Sequence, residues 1–523
     1  MKRHKRGTFN GSYLLTGMLG LGLLLACLLA GLMAAVLPPG ALLKITAIPI
    51  ALCGLLLLWI MPKRKSAPDG ALNLILLALV ALINIWPTYI IYRFGGLPSI
   101  NPTKLAWLVF LLGGTLCMLS CKEPMERFVA RCKAHPVIVS GIVSLMTWRV
   151  LSSMAGEEPI SQVFGLGGEL ISFYLVFFIA LGVLRDKRDV FRLLAVLTVV
   201  GLLQAGLAGY ESVVKRTLFA RFITVSADDA LTLQAVLMEK LREGRYRAQG
   251  TFEHPMVLAE FMAMMVPVAA AVFLTQKTVL LRWASMAFVP VAVAMIVASR
   301  SRSGIAVLLA ALILVGILLL LPRGDNSKRQ KADLMLLASV LLLPLVLLGG
   351  YFAMQEVFAL IAGRSQNEAS STMARVLMLE RGIPLIASNP LFGYGNGLGV
   401  VKLGFFDGVR YNIDNYWLGL ALDAGVPGLL AFLVSFISAI LLGIQTYRRR
   451  TDSVGTAAGL IAVSLVMLMG TKTVLSISSG FSLAYVLIAA LIVLADAPAE
   501  SAEEAAPPAL KGMRPVARRG LFR

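Results

Sequence analysis

The sequence predicts an all-α, polytopic integral membrane protein with about fourteen transmembrane helices and two long loops on the outer side. Three observations carry that expectation. Hydrophobic residues fill 58% of the 523 positions, against roughly 45–50% in soluble domains, and mean hydropathy is +0.83. Apolar runs of roughly 18–25 residues recur from end to end, each long enough to cross a hydrocarbon core about 30 Å thick as a helix. Basic clusters recur at alternate connections, as the positive-inside rule requires of cytoplasmic ends. Lipid leaves backbone groups no water to bond, so the runs must be helices, and the alternating strands of a barrel are not seen.

Residues 1–210 read as an N-terminal bundle with spans near 12–37, 42–61, 71–92, 103–121, 136–154, 162–184 and 190–210. Its basic start precedes an apolar core, but Leu14 to Leu37 is long for a signal peptide and Pro38-Pro39-Gly40 leads into another span. A retained first helix is expected. Residues 211–254 form the first long outer loop, in which Leu231, Val236, Leu237 and Leu241 give Ala227 to Arg245 a helical apolar spacing, with Ser226 or Asp228 able to cap. Such a helix suits the membrane surface. Residues 255–353 hold central spans near 255–275, 281–299, 303–321 and 333–353, the middle two joined by a very short turn. Residues 354–414 are the second outer loop, with a short amphipathic helix expected from Met373 to Ile386. Residues 415–496 supply spans near 415–444, 454–472 and 480–496, and the Ala-, Pro- and Glu-rich tail 497–523 is expected to be disordered on the cytoplasmic side. Outer loops of this length in a compact membrane protein are usually functional or disordered. These contain aromatics and turn glycines, not low-complexity tracts.

The formal net charge is +20, from 48 basic and 28 acidic residues. In a soluble protein that excess would suggest nucleic acid. Here it sits between apolar runs, at Lys63-Arg64-Lys65, Lys122 to Lys133, Arg185 to Arg188 and Arg448-Arg449-Arg450, so it reads as topological anchoring. The five cysteines fall in apolar runs or on the cytoplasmic side, so no disulfide framework is implied. Cys117 and Cys121 share a helix face without a histidine, which points to small core residues and not to a metal. No internal repeat of the kind that marks many transporters is evident.

Charges inside spans are costly unless paired or wet, which makes each a candidate functional group. They are Arg149, Glu169, Glu260, Arg300, Arg302, Asp423 and Lys472. Arg300 and Arg302, in Ala298-Ser-Arg-Ser-Arg-Ser-Gly304, break the charge rule by standing at an outer turn. Two guanidiniums among three serines suit a diphosphate, and lipid-headgroup snorkelling is the bland alternative. A second cationic group, Arg245-Tyr-Arg-Ala-Gln-Gly-Thr-Phe-Glu-His254-Pro, enters the next span. His254 can serve as base, acid or helix cap, and Glu260 can pair with an arginine from another span.

The third group is Asn389-Pro-Leu-Phe-Gly-Tyr-Gly-Asn-Gly-Leu-Gly399. Its alternating Gly393, Gly395, Gly397 and Gly399 match no P-loop or dinucleotide motif, but they let backbone approach a ligand and offer N–H groups to anionic oxygens. Asp414 and Asn415 open the following span, and capping accounts for only one of them. Asp423 stands about two turns further in, before Gly425, Pro427 and Gly428, where a helix break is expected.

Taken in order, these blocks resemble the O-antigen ligase/polymerase superfamily of bacterial envelope polysaccharide enzymes. The carriers are Arg247 to Met256, Ser299 to Gly304, Asn389 to Gly395, Asp414 to Leu418 and Asp423 to Gly428, with Arg375 where the family tends to have an arginine. The resemblance covers roughly residues 245–430. It implies a helical membrane glycosyltransferase of the bacterial inner membrane, with its active site facing the periplasm and without a metal or other cofactor. Its partners would be an undecaprenyl-diphosphate-linked oligosaccharide donor and a glycan acceptor, with membrane lipids and other polysaccharide-assembly proteins besides. Ligases of the family typically carry a His-Asn pair where this chain has Asp414-Asn415, which favours a polymerase of exopolysaccharide or capsule.

On that reading Asp414 is the expected base, with His254 second. Arg247, Arg300, Arg302 and Arg375 are assigned to the substrate diphosphate, and Gly393, Gly395, Asn415 and Asp423 to substrate binding. A flippase or exporter of lipid-linked oligosaccharide is the alternative from another class. It would distribute its charges along a continuous cavity, whereas this chain gathers them at one outer rim.

Overall fold

The structure is a computed structural model that describes residues 66–87, 101–219, 241–242, 245–299, 301–320, 366–406 and 411–498, together with Gly54, Arg64, Ile90, Tyr92 and Phe222. The expected spans 12–37, 42–61 and 333–353, most of the expected surface helix from Ala227, and the tail beyond 498 lie outside the described residues. The chain forms two compact units, Met1–Pro68 with Thr115–Met125, and Asp69–Gly114 with Glu126–Arg523. In the first, Cys117 and Cys121 lie one turn apart with sulfurs at 3.8 Å, both buried. The candidate site belongs entirely to the second.

In chain order the described helices are α1 (Asp69–Ile85), α2 (Pro102–Ser120), α3 (Lys122–Ala134), α4 (Pro136–Ala155), α5 (Pro159–Val183), α6 (Lys187–Val214), α7 (Pro255–Thr275), α8 (Val279–Ala298), α9 (Arg302–Leu320), α10 (Gln366–Ser388), α11 (Leu398–Leu403), α12 (Tyr416–Arg449), α13 (Ser453–Thr471) and α14 (Phe481–Ala495). Eight are long and apolar enough to cross a membrane, and α1, α9 and α14 are shorter apolar helices. Every expected span that falls on described residues is therefore helical. Only α1 stops well short, at Ile85 instead of 92, because Pro87 disfavours helical backbone at Trp86.

Other boundaries differ from expectation. The basic stretch Lys122 to Lys133 is itself a helix. Its Arg127 pairs with Asp69 at 2.9 Å, and Arg131 donates to the carbonyls of Leu184 at 2.5 Å and Arg185 at 2.9 Å. Those carbonyls belong to the end of α5, where a helix leaves acceptors without partners. Burial pushes the Arg131 guanidinium down to about 10, so it stays charged at neutral pH. The helix α6 runs four residues past 210 and carries Glu211 inside its last turn. Leu241–Arg242 and Arg245–Tyr246 pair as a minimal antiparallel hairpin, β1 and β2, so the helix expected up to Arg245 does not reach that far. Within residues 354–414, α10 extends the expected 373–386 helix at both ends.

The core is centred on α7, which apart from Glu260 is apolar on every face and buries nearly all of its residues, the condition of a helix surrounded by others. It packs against α6, α8, α9 and α13, while α12 packs against α4 and α13. Close approach of α4 and α12 uses Gly141, whose missing Cβ would stand 3.1–3.2 Å from Ser435. By contrast α8 presents Leu280 and Trp283 outward, as a lipid-facing helix does.

Candidate functional site

The site is built around a break in α12. Gly425 sits at φ 66, ψ −176, a conformation open only to glycine, and Pro427 lacks an N–H, so the helix is interrupted where its sequence predicts. The break frees three carbonyls, and in a membrane protein each must find a donor. Leu422 O accepts from Tyr394 N at 2.8 Å, Asp423 O from Gly395 N at 2.9 Å and Ser152 Oγ at 2.6 Å, and Ala424 O from Trp148 Nε1 at 3.0 Å. In return Val426 N donates to Pro390 O at 2.8 Å. The glycine segment 389–399 and the Trp148/Ser152 face of α4 thus complete the broken helix, and Phe392 stacks on Trp148 at 5.3 Å between ring centroids.

This assembly explains the alternating glycines and revises their expected role. A Cβ on Gly393 would lie 2.4 Å from Leu422 O, one on Gly395 1.8 Å from Gln162 Oε1, and one on Gly399 2.6 Å from Asp423 Oδ1. The N–H groups of Gly393 and Gly395 donate to backbone carbonyls, and neither residue lines the cavity described below. The anion that the glycine N–H groups hold is internal. Asp423 accepts from Gly397 N at 3.1 Å and Gly399 N at 3.0 Å, which places its carboxylate at the start of α11 as a cap. Asn415 is likewise a cap, its Oδ1 accepting from Leu418 N at 3.1 Å, so Asp414 is the member of that pair left over for other work.

A second clamp fixes the segment that carries Arg247. Glu211, fully buried at the end of α6, accepts from Tyr246 Oη at 2.5 Å, Gln249 N at 3.0 Å and Gly250 N at 2.5 Å. Gln204, two turns earlier on the same face, donates to Thr251 Oγ1 and to Asn84 O. Arg247 Nε donates to Ser299 O at 3.0 Å, and Ala248 N to Ala298 O at 3.3 Å. The Arg247 segment is therefore bound to the end of α8, immediately before Arg300. His254 ends the segment as the N-cap of α7, its Nδ1 accepting from Met256 N at 3.0 Å.

A third set of contacts is an ion pair inside the bundle. Sequence reasoning allowed Glu260 an arginine partner; the structure gives it Lys472 instead, at 2.9 Å, with side-chain exposures of 1% and 0%. Thr471 Oγ1 also donates to Glu260 at 2.5 Å, and Lys472 Nζ donates to Ile477 O at 2.5 Å. The pair thereby fixes the turn between α13 and α14, while Lys472 O accepts from Tyr416 N at 2.9 Å at the start of α12.

Around these clamps lies a cavity of about 950 Å³. Its wall collects Arg149 and Glu169 from α4 and α5, Arg247, His254 and Met256 from the α7 entry, Arg375 from α10, Asn396 and Gly397, Tyr411 to Asp414, Asp423, and the turn Val474 to Ser478. These segments come from widely separated parts of the chain, and each lies at, or within three turns of, a helix end that the sequence assigns to the outer side. Arg149 stands six residues from the end of α4 and Glu169 ten from the start of α5, so the floor reaches ~10–15 Å below the helix ends at 1.5 Å per residue. Of the expected site residues, Arg247, His254, Arg375, Asp414 and Asp423 line the cavity; Gly393, Gly395 and Asn415 do not. Arg300 lies outside the described residues, and Arg302 opens α9. Arg375 Nε stands 3.4 Å from Asp414 Oδ2, both about one-third exposed, an ion pair without hydrogen-bond alignment.

The clamp residues Glu211 and Gln204 escaped sequence reasoning. The available signal was their spacing with Ala208: two polar residues seven apart on one face of an otherwise apolar helix. Trp148 and Ser152 gave no signal, since both are ordinary residues of membrane helices.

Residues 287–433 match the family described as O-antigen ligase. The match supports the O-antigen ligase/polymerase superfamily for this chain and spans the Ser299, Asn389, Asp414 and Asp423 blocks, whereas the Arg247 block precedes it. No curated protein matches the chain.

Proposed function

We propose that this O-antigen ligase-like chain is a membrane glycosyltransferase that polymerises or ligates undecaprenyl-diphosphate-linked oligosaccharide units on the periplasmic face of the inner membrane. The observation that carries the reading is the single cavity in which Arg247, Arg375, Asp414 and His254 meet at one end of the bundle. A glycosyl diphosphate already has a good leaving group, so transfer needs cations for the developing diphosphate charge and a proton acceptor for the incoming hydroxyl. Arg247 and Arg375, with Arg300 and Arg302 beside Ser299, fill the first role. Asp414 fills the second, with His254 as the reserve.

In the step itself the acceptor hydroxyl oxygen bonds to the anomeric carbon, its proton passes to Asp414, and the bond to the diphosphate oxygen breaks with its electron pair. Polyprenyl diphosphate departs. The Arg375 ion pair holds Asp414 in place before substrate arrives, and an incoming diphosphate competes for the same guanidinium. An aspartate where family ligases have histidine favours polymerisation over ligation.

The test is the replacement of Arg300, Arg302 or Asp414 by alanine in the intact chain. Each variant is expected to insert normally and to abolish polymer, and normal polymer in all three would refute the proposal. A deletion strain then separates the two activities: a single lipid-linked repeat accumulates when a polymerase is lost, a long lipid-linked chain when a ligase is lost.

A further inference from the structure

Two charges of the cavity wall, Arg149 and Glu169, have no part in the transfer step above. Arg149 is 5% exposed, and its guanidinium forks. Its Nη1 donates to Glu169 Oε2, and its Nη2 to Asn396 Oδ1 at 2.8 Å. Because the guanidinium can only donate, the Asn396 atom facing it must be the oxygen, which turns Nδ2 away. Among the described residues, neither Glu169 Oε1 nor Asn396 Nδ2 has a hydrogen-bond partner, although both side chains line the cavity. The other two carboxylates of the wall differ. Asp423 has both oxygens on glycine N–H groups, and Asp414 lies between Arg375 and Asn412.

Local structure is shaped to bring these two side chains together. Asn396 lies over Gly165 on α5, where a Cβ would come within 3.1 Å of Nδ2. Directly after Glu169 the helix widens into a π-helical turn, Leu170–Leu175, a rare feature that recurs at functional sites. One buried guanidinium therefore holds two cavity-lining side chains, one with a carboxylate oxygen free to accept and the other with an amide nitrogen free to donate. A hydroxyl is complementary to that pair, because it donates and accepts at once. A phosphate is not, since it would face a carboxylate.

We propose that Glu169 and Asn396, held by Arg149, form a subsite for the hydroxyl groups of a neutral sugar. Resting on the transfer reading, it would bind a sugar of the donor or acceptor glycan away from the diphosphate.

The experiment uses the full chain in lipid nanodiscs. Lipid-linked repeat units are isolated from membranes of a strain that lacks the protein, and mild acid releases their glycan free of diphosphate. Calorimetric titration with released glycan should show binding to the wild-type chain and at least about tenfold weaker binding to Glu169→Gln and to Asn396→Ala, the usual scale for a lost hydrogen bond to a charged group. Binding of inorganic pyrophosphate should stay within about threefold in both variants. Asn396→Ala keeps the Arg149 ion pair, so it tests the subsite even if Glu169→Gln fails to fold. Undiminished glycan binding in Asn396→Ala, or a parallel loss of pyrophosphate binding, overturns the proposal. In a transfer assay, the substrate whose KM rises identifies whether donor or acceptor sugar occupies the subsite. A wild-type chain that binds glycan yet transfers nothing defeats the transfer reading and leaves the subsite standing.

Discussion

Replacing Lys472 by methionine should be among the most damaging single changes in the bundle. The side chain keeps most of its length and loses its charge, leaving Glu260 at 1% exposure with, among the described residues, the Thr471 hydroxyl as its one donor. Removing one partner of a buried pair strands the other charge at a cost of about 3–5 kcal/mol. Glu260→Leu strands the ammonium in the same way, with Ile477 O and the Phe481 ring, 5.0 Å from Nζ, as its remaining company. The double variant strands no charge, though Ile477 O loses its donor, and replaces the pair by groups of similar volume, so it should recover most of the loss and fall within about 1–2 kcal/mol of the parent. Unfolding by SDS in mixed micelles, followed by circular dichroism, measures all four corners of the cycle. A coupling energy near zero, with the two single losses adding in the double variant, would refute the claim that this is a mutually dependent pair.

Other consequences follow from the clamps. Glu211→Leu removes the acceptor of three hydrogen bonds from the Arg247 segment; trypsin should then cut near Arg245 and Arg247, and transfer should fall more than tenfold although the protein still inserts. Gly425→Ala places a Cβ 2.2 Å from Leu391 O at φ +66 and should cost about 3 kcal/mol or more, whereas Gly397→Ala at φ +78 meets open space and should cost about 1–2 kcal/mol, both read from the same SDS curves. Asn415→Ala should cost about 1 kcal/mol as a lost cap while preserving transfer, in contrast to its neighbour Asp414→Ala, which should preserve stability and lose transfer.

The spans were legible because lipid admits only helices and closed barrels and the apolar runs lack a barrel's alternation, so length and composition suffice to place α4 to α9 and α12 to α14. The break in α12 was legible for a local reason as well: Gly425, Pro427 and Gly428 cannot continue a helix unaided. Partnerships were not legible. That Glu260 meets Lys472 and not an arginine depends on α7 and α13 being neighbours, a fact of packing that no single-helix pattern contains. Glu211 looked like the first residue of a loop because the apolar run ends before it; the helix runs on to Val214, and the donors that hold the buried carboxylate come from Tyr246, Gln249 and Gly250, some forty residues on. The glycine segment was read as open to a ligand because backbone N–H groups at glycines suit anions, and the sequence offers no way to see that Asp423 takes two of them.

That last substitution of an internal anion for a ligand has a structural reason. An unbroken α12 would carry its backbone bonds from end to end and leave no polar backbone at this end of the bundle. Breaking it at Gly425 exposes the carbonyls of Leu422, Asp423 and Ala424, each costly in a membrane unless satisfied. The donors come from Tyr394 and Gly395 on one side and from Ser152 and Trp148 on the other. The segment 389–399 is therefore required for the helix to be stable in its broken form, and the broken form places Asp423 against that segment. The same segment then carries Asn396 to Arg149 and Gly397 to the cavity wall. Satisfying the backbone of one interrupted helix thus draws α4, α5, α11 and α12 into one polar surface, and a change that restored α12 to a continuous helix would dismantle the cavity without touching any residue that faces it.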